Sequence, residues 1–324
     1  MKPIGGYFSL EINDGREYHE SAIKLNAGRY ALEYILKARE YRKVYLPFYI
    51  CDSVMEPIKR LGVEYEFYHI DERLEPSVTL YPREDEVVLC VNYFGLKNSV
   101  TERFCYKYPN TIIDQTQAFY SEPGNKHKCD NIKCDTFYSC RKYFGVPDGA
   151  YLYTDSKLSE ELPQDESYER LTFLTKRIDR SPQEAFSDFH ANDDFIMNAG
   201  MRRMSRLTES IMSGIDYTAK ANRRLRNFYI LRDALDNTNL MHWQIDYGTV
   251  PLVYPYYVDN GAQLRQCLIE NQVFCARYWP NVLEWCQTSD WEYKLAENLV
   301  CLPIDQRYDE DDMKRILEII TSYG

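Results

Sequence analysis

Residues 135–149 read DTFYSCRKYFGVPDG, an apolar, β-rich run that leads into Lys142 and ends at Gly149. Further β-rich runs lie on both sides of this stretch and alternate with helical patterns, which is typical of a sheet with helices on both faces. The runs that we predict as strands are KVYLP (43–47), VEYEFYHI (63–70), EVVLCVNYF (86–94), NTIIDQT (110–116), CDTFYSC (134–140) and GAYLYT (149–154). This order predicts a βαβ arrangement in the first half of the chain.

Helices are predicted between these strands and after them. Asn26 can cap a helix over the following residues, and Gly62 suits the left-handed end of a second one. From Thr154 the alternation stops, and residues 202–235 read as long helix broken near Gly214.

The last hundred residues again offer both strands and helices. Residues 248–258 and 297–304 read as strands, and a final helix begins at Asp309. We therefore predict an α/β protein, with a large three-layer domain around a mixed or parallel sheet over residues 1–215. A smaller C-terminal α/β domain would cover residues 216–324.

Composition limits the partners of the chain. Its net charge of −11 disfavours nucleic acid and anionic membrane surfaces. No charged segment followed by an apolar one opens the sequence, and no apolar run reaches the length of a membrane span, so we predict a cytoplasmic protein. Five of the ten cysteines lie in or beside apolar runs and read as free thiols: Cys51, Cys90, Cys140, Cys275 and Cys301. Cys129 and Cys134 lack the further ligands of a zinc site, so no metal is predicted.

Lys142 is the strongest candidate in the sequence for a residue with a chemical role. An isolated lysine is usually exposed, because burying an ammonium group is costly. A Schiff base with an aldehyde removes that objection, because it consumes the amine. Lys142 is therefore our candidate for a covalent cofactor link.

Two other segments complete a candidate site. Asp114 ends the apolar strand NTIID, and the carboxyl ends of strands are where open α/β sheets bind ligands. A buried aspartate can keep the pyridine nitrogen of pyridoxal phosphate protonated, although an aspartate in this position also commonly caps a turn. Asn26-Ala-Gly28-Arg29 opens a helix whose free N–H groups suit a phosphate, as an ordinary capped helix also would.

Together these segments resemble the DegT/DnrJ/StrS family of sugar aminotransferases, which have the fold type I architecture of pyridoxal-phosphate enzymes. The motifs that carry the resemblance occur in order along most of the chain: NAGR (26–29), LPFYIC (46–51), NYFG (92–95), DQTQ (114–117), SCRK (139–142) with PDG (147–149), RMS (203–205) and LPI (302–304).

The resemblance implies a role for each matching residue. Lys142 would form the internal aldimine and shuttle a proton, Asp114 would pair with the ring nitrogen, and Gln117 would lie against the ring or its hydroxyl. Gly28 and Arg29 would give backbone amides to the phosphate, with Ser139 adding its hydroxyl. Glutamate would donate the amino group to a nucleotide-linked keto sugar, as in polysaccharide biosynthesis, in a homodimer.

The chain departs from the family pattern in several places. Cys51 stands where many relatives have an aromatic residue, so either Tyr49 or Phe94 would stack on the ring or the stacking is missing. The spacing from Ser139 to Lys142 is shorter than the common one, and Met201 replaces an asparagine. Two alternatives therefore remain open: another fold type I reaction such as dehydration or lyase chemistry, and a non-catalytic dimeric relative that lost cofactor binding. Tyr278 and Trp279 could wall the substrate pocket, although such aromatic pairs more often serve packing.

Overall fold

A computed structural model describes residues 4–124, 133–246 and 248–323. The strands are β1 (Ile23–Leu25), β2 (Lys43–Pro47), β3 (Glu64–Tyr68), β4 (Glu86–Val91), β5 (Asn110–Asp114), β6 (Lys133–Ser139), β7 (Ala150–Tyr153), β8 (Val253–Tyr257) and β9 (Leu299–Pro303). The first helices are α1 (Gly28–Arg39), α2 (Met55–Leu61), α3 (Asn98–Lys107), α4 (Thr172–Asp179) and α5 (Phe186–Asn198). They are followed by α6 (Arg206–Ser213), α7 (Tyr217–Leu235), α8 (Gly261–Glu270), α9 (Val282–Trp285), α10 (Trp291–Asn298) and α11 (Glu310–Tyr323).

Seven strands form one mixed sheet in the order β1-β7-β6-β5-β4-β2-β3. The central strands β6, β5, β4, β2 and β3 run parallel, whereas β7 is antiparallel to both of its neighbours. Strands β4 and β5 are buried along their whole length, as expected for a sheet covered on both faces. The predicted mixed α/β sheet is confirmed.

The structure confirms every predicted strand, and it adds one. Strand β1 has only three residues, pairs antiparallel with β7, and was not predicted. Gly62 ends α2 in the left-handed conformation with φ 67°, as predicted. The long helical region breaks into α6 and α7 on either side of Gly214.

The predicted cap at Asn26 is wrong. The N-cap of α1 is Ala27, which makes no side-chain capping bond. Asn26 instead binds a different segment: its amide donates to the carbonyl of Gly200 at 2.9 Å, and its Oδ1 accepts from the backbone N–H of Arg202 at 3.1 Å. Asn26 is therefore committed to holding residues 200–202 beside α1.

Strands β8 and β9 form a separate antiparallel pair near the C-terminus. Helices α8 and α10 contact β9, and α11 packs on α7 and α8. As predicted, α11 buries Met313, Ile316 and Ile320 on one face. The division into domains at residue 215 stays a prediction, because the largest cluster of buried apolar side chains includes residues of both sheets.

Cysteines occur in two states in the described ranges. Cys51, Cys90, Cys140, Cys275 and Cys301 are free, as predicted. Cys105 of α3 and Cys134 of β6 form a disulfide, with their Cα atoms 6.0 Å apart. Cys129 lies outside the described residues.

Neither a membrane span nor a metal cluster is found in the described ranges. No helix there combines the length and apolar character needed to cross a membrane. No group of three or more His, Cys, Asp or Glu side chains there is arranged to hold a metal ion.

Candidate active site

A cavity of about 480 Å³ lies at the carboxyl ends of β5 and β6, between the start of α1 and the C-terminal half of α5. This is the edge of a parallel sheet at which α/β proteins bind ligands. The cavity brings together six of the residues predicted from sequence: Gly28, Arg29, Cys51, Asp114, Ser139 and Lys142. These residues are up to 114 positions apart in the chain, so the fold is what assembles them.

Asp114 is the last residue of β5 and is almost fully buried. Its Oδ1 accepts a hydrogen bond from the backbone N–H of Thr116 at 2.8 Å. Burial raises the pKa of Asp114 above its usual value, although the charge of Lys142 and the hydrogen bond from Thr116 act in the opposite direction. Asp114 therefore caps the turn after β5 and also lines the cavity, so the two readings of this residue are compatible.

Lys142 is partly buried, and its amine points to the same turn. The Nζ atom donates a hydrogen bond to Oγ1 of Thr116 at 2.9 Å. Thr116 also lines the cavity and had not been identified from the sequence. A lysine held by a hydroxyl, beside a buried carboxylate, forms the chemical centre of this site.

The N-terminus of α1 forms one wall of the cavity. A Cβ atom added to Gly28 would lie 3.3 Å from Cγ2 of Thr116, so a side chain here would crowd the site. The guanidinium of Arg29 forms an ion pair with Glu56 at 2.5 Å. Arg29 therefore offers the site its backbone N–H, because its charge is already paired. The uncapped first turn has free N–H groups and a positive dipole end, which suit a phosphate.

Ser139 ends β6 and lines the cavity next to this helix. Cys51 also lines the cavity and accepts a hydrogen bond from the hydroxyl of Ser53 at 3.1 Å. Burial raises the pKa of the Cys51 thiol, and the charge of Lys142 lowers it in part. The Cys51 side chain is therefore a neutral, small contact rather than a thiolate.

The two remaining predicted residues lie outside the cavity lining. Tyr49 is fully buried, with its ring centroid 5.1 Å from that of Trp279. Gln117 is also fully buried; its Oε1 accepts from the backbone N–H of Phe94 at 2.9 Å, and its Nε2 has no partner among the described residues. Direct cofactor contacts of Tyr49 and Gln117 stay predictions, as does stacking by the fully buried Phe94.

The aromatic side chains that line the cavity are Phe137, Phe189 and Trp279. Trp279 is therefore the member of the Tyr278-Trp279 pair that forms a wall of the site. The amide of Asn281 donates to the carbonyl of Ile50 at 2.9 Å, which ties this segment to the residues before Cys51.

Helix α5 supplies residues that the sequence analysis missed. Its contributions to the lining are Phe189, Asp193, Asp194, Ile196 and Met197. Arg141, next to Lys142, forms an ion pair with Asp193 and thereby ties the lysine segment to α5. No sequence motif marked α5, because only Asn192 and Ile196 of this helix are buried.

Comparison with known proteins gives a fold but no close relative. No protein-family model matches the chain, and no curated protein matches it.

Among the solved structures that are similar to this chain are several aminotransferases. A sugar aminotransferase, CalS13, from Micromonospora echinospora superposes with a TM-score of 0.63 at 13% identity, over 94% of this chain and 88% of that one. A DegT/DnrJ/EryC1/StrS aminotransferase from Brucella abortus gives a TM-score of 0.60 at 14% identity, over 93% and 85%. NtdA from Bacillus subtilis, solved with bound cofactor PMP, gives 0.63 at 14% identity, over 93% and 72%.

Identities this low establish the architecture and leave the chemistry to the residues of the site. The chain has the α/β fold of pyridoxal-phosphate enzymes of fold type I, with a mixed seven-stranded sheet flanked by helices.

Proposed function

We propose that the chain is a pyridoxal-phosphate-dependent aminotransferase of the DegT/DnrJ/StrS type, which transfers an amino group from glutamate to a nucleotide-linked keto sugar. The observation that carries the proposal is the convergence of Lys142, the buried Asp114 and the uncapped start of α1 on one cavity. An amine, an acid and an anion site are the three contacts that this cofactor requires of a protein.

The residues of the cavity fit the cofactor. Pyridoxal phosphate, when bound, supplies an aldehyde that condenses with amines and a ring that withdraws electrons from the adjacent carbon. The backbone N–H groups of Gly28 and Arg29 would hold its phosphate, and the Ser139 hydroxyl would add a hydrogen bond. The absence of a side chain at Gly28 leaves room for this group beside Thr116.

Lys142 and Asp114 would carry the proton chemistry. The Lys142 amine would hold the cofactor and then move a proton between substrate and cofactor carbons, with Thr116 positioning its Nζ atom. Asp114 would hold a proton at the ring nitrogen. Burial makes this carboxylate a better proton acceptor than one in water, because desolvation raises its pKa.

The keto sugar is proposed as the amino acceptor on the basis of a structural neighbour. Its support is that CalS13 is described as a sugar aminotransferase and shares this fold. We propose a homodimer in the cytoplasm on the same basis of resemblance. Trp279, together with α5, would form the side of the pocket that receives the sugar.

Absorption spectroscopy of the purified chain with added pyridoxal phosphate tests this function. We expect a visible absorption band in the wild type that is absent from Lys142→Ala and that is bleached when glutamate is added. Lys97→Ala is the matched control, because Lys97 is also partly buried but lies outside the cavity lining. It should retain both the band and the bleaching.

The outcomes separate the alternatives. A band that glutamate and other amino donors leave unchanged would contradict transamination and favour dehydratase or lyase chemistry on the same cofactor. The absence of a band at saturating cofactor would contradict an enzyme and favour a non-catalytic relative.

A further inference from the structure

A second cavity, of about 440 Å³, adjoins the first one at Arg141 and Lys142, which line both. It lies between residues 141–146, the helices α4 and α5, and residues 305–307, which follow β9. We call it the arginine pocket. The proposed aminotransferase reaction assigns no role to it.

The charge of the arginine pocket is opposite to that of the whole chain. Its cationic lining residues are Arg141, Lys142, Arg177, Arg224 and Arg307, and its one acidic lining residue is Asp305. Asp305 is already engaged by Arg307, with Nε–Oδ1 and Nη2–Oδ2 distances of 2.7 and 2.8 Å. In a protein of net charge −11, a basic concavity of this kind favours an anion.

Arg224 is the strongest indication of a missing anionic partner. It is only 1% exposed, and no ion pair joins it to a carboxylate of the described residues, although the charge of Asp305 acts on it. Its guanidinium donates instead to neutral acceptors: Oε1 of Gln306 at 2.8 Å, the carbonyl of Leu252 at 3.1 Å, and the carbonyl of Tyr143 at 3.5 Å. Both oxygens of Asp305 are bound by Arg307. Burial of a cation that lacks an ion pair of its own is costly, and an anion in the adjoining cavity would offset that cost.

The rest of the lining is apolar and aromatic. Its members are Phe144, Val146, Phe173, Leu174, Pro182, Ala185, Phe186 and Phe189. Phe144 and Phe173 are buried, whereas Phe186 is 60% exposed at the mouth of the cavity. Such walls suit a ring or an apolar body, since binding pockets combine apolar surface with a few convergent polar groups.

We propose that the arginine pocket binds an organic oxyanion, in which a phosphate or carboxylate lies against Arg224 and Arg177 and an attached ring packs on the phenylalanines. The oxyanion belongs either to the acceptor substrate, whose other end reaches Lys142, or to a separate effector. The site itself does not depend on the proposed transamination.

The test is a calorimetric titration with phenyl phosphate, which combines a ring with an oxyanion. Phenol and inorganic phosphate serve as controls that each lack one of these parts. Titrations with and without saturating pyridoxal phosphate separate binding here from binding at the start of α1. We expect phenyl phosphate to bind more tightly than either control and to retain its affinity when the cofactor is present.

Two variants locate the binding. Arg224→Gln removes the charge together with the Nη donors to the carbonyls of Leu252 and Tyr143, so the dissociation constant should rise about tenfold. Arg177→Gln changes an exposed residue that lines only this cavity, and a rise of about threefold is expected. Arg180→Gln is the matched control, because Arg180 follows the same helix, lies outside the lining, and should leave the affinity unchanged.

Any of three results would overturn the proposal: no binding of phenyl phosphate, an equal effect of Arg177→Gln and Arg180→Gln, or full competition by pyridoxal phosphate. The calorimetric titrations measure binding and not turnover, so failure of the proposed transamination would leave their result unaffected. If Arg224→Gln does not fold, Arg177→Gln decides alone. Inhibition of transamination that is competitive with the keto acceptor would assign the oxyanion to the substrate, and non-competitive modulation would assign it to an effector.

Discussion

The side chain of Asp114 both caps the turn after β5 and lines the cavity. Its Oδ1 accepts from the backbone N–H of Thr116, and the residue lines the cavity beside Lys142. Asp114→Asn keeps this acceptor and removes the charge, so the fold should be retained. We expect the half-reaction with glutamate to slow by about a hundredfold, because the protonated ring nitrogen loses its counter-charge.

Stopped-flow absorption after mixing with glutamate measures that rate. Asp194→Asn is the control for a change of charge at the cavity, since Asp194 also lines the cavity and lies on α5. A rate in Asp114→Asn equal to that of the wild type would contradict the assignment of Asp114 to the ring nitrogen.

Thr116 positions Lys142 through a hydroxyl that a valine would lack. Thr116→Val keeps the branched shape, and Thr116→Ser keeps the hydroxyl that accepts from Nζ of Lys142. We expect the half-reaction to slow by about tenfold in Thr116→Val, with cofactor affinity nearly unchanged, and to recover in Thr116→Ser. Equal rates for the two variants would mean that Thr116 contributes only its shape to the site.

Part of the candidate site was predictable for a physical reason. Asp114 ends an apolar run, and the carboxyl ends of parallel strands meet at one edge of a sheet. Ser139 and Cys51 were predicted from the family resemblance. Thr116 was missed although it is two residues from Asp114, in the turn that Asp114 caps. Gln117, one position further, lies outside the lining. Gln117 was predicted as a cofactor contact from the family resemblance alone.

At the scale of elements, strands were predictable because burial on both faces leaves uninterrupted apolar runs such as those of β4 and β5. Strand β1 is short and carries a lysine, and its pairing with β7 depends on residues more than 120 positions away. Helices α4 and α5 lie on the surface, with few buried residues to give a periodic pattern. Strand β1 and helices α4 and α5 were therefore missed because these elements depend on tertiary contacts that leave no local sequence pattern.

The N-terminal segment before β1 is held to the large sheet by His19. Its Nδ1 lies 3.1 Å from the hydroxyl of Tyr153, and its Nε2 lies 2.8 Å from the carbonyl oxygen of Phe119. Burial lowers the pKa of His19 from 6.5 to about 4, although the hydrogen bond to Phe119 acts in the opposite direction. The imidazole is therefore neutral in the folded protein at neutral pH.

This pKa makes stability depend on pH. The unfolded chain takes up the proton as pH falls below 6.5, whereas the folded chain does so only near 4. The contribution of His19 is fully present above the unfolded pKa and decreases as pH falls through that window. Between about pH 7 and about pH 5 the wild type should lose about 2 kcal/mol more unfolding free energy than His19→Gln. Urea denaturation at both pH values measures this, and equal losses would contradict a buried neutral His19.

At the scale of the whole molecule, α5 presents apolar side chains beside the cofactor cavity. Phe186, Phe195 and Met197 are 60%, 45% and 43% exposed in the single chain. A dimer that covers α5 would bury them, in agreement with the homodimer predicted by resemblance. We expect twice the chain mass in light scattering, and a shift toward the monomer for Phe195→Glu. Phe274→Glu, a change of an exposed residue outside α4 and α5, should stay dimeric.

Dimerisation in both variants would place the interface elsewhere, and a monomeric wild type would contradict the homodimer. The homodimer was predicted from the family resemblance. Exposed apolar side chains on a single chain do not identify the partner that covers them.

Chemical location of the cofactor tests most directly whether pyridoxal phosphate attaches to Lys142. The chain is incubated with pyridoxal phosphate, reduced with borohydride, digested, and analysed by mass spectrometry. The account predicts the reduced cofactor on the peptide that contains Lys142, with none on that peptide in Lys142→Arg. Attachment to a different lysine, or no attachment at saturating cofactor, would contradict the claim that this cavity is a pyridoxal-phosphate site.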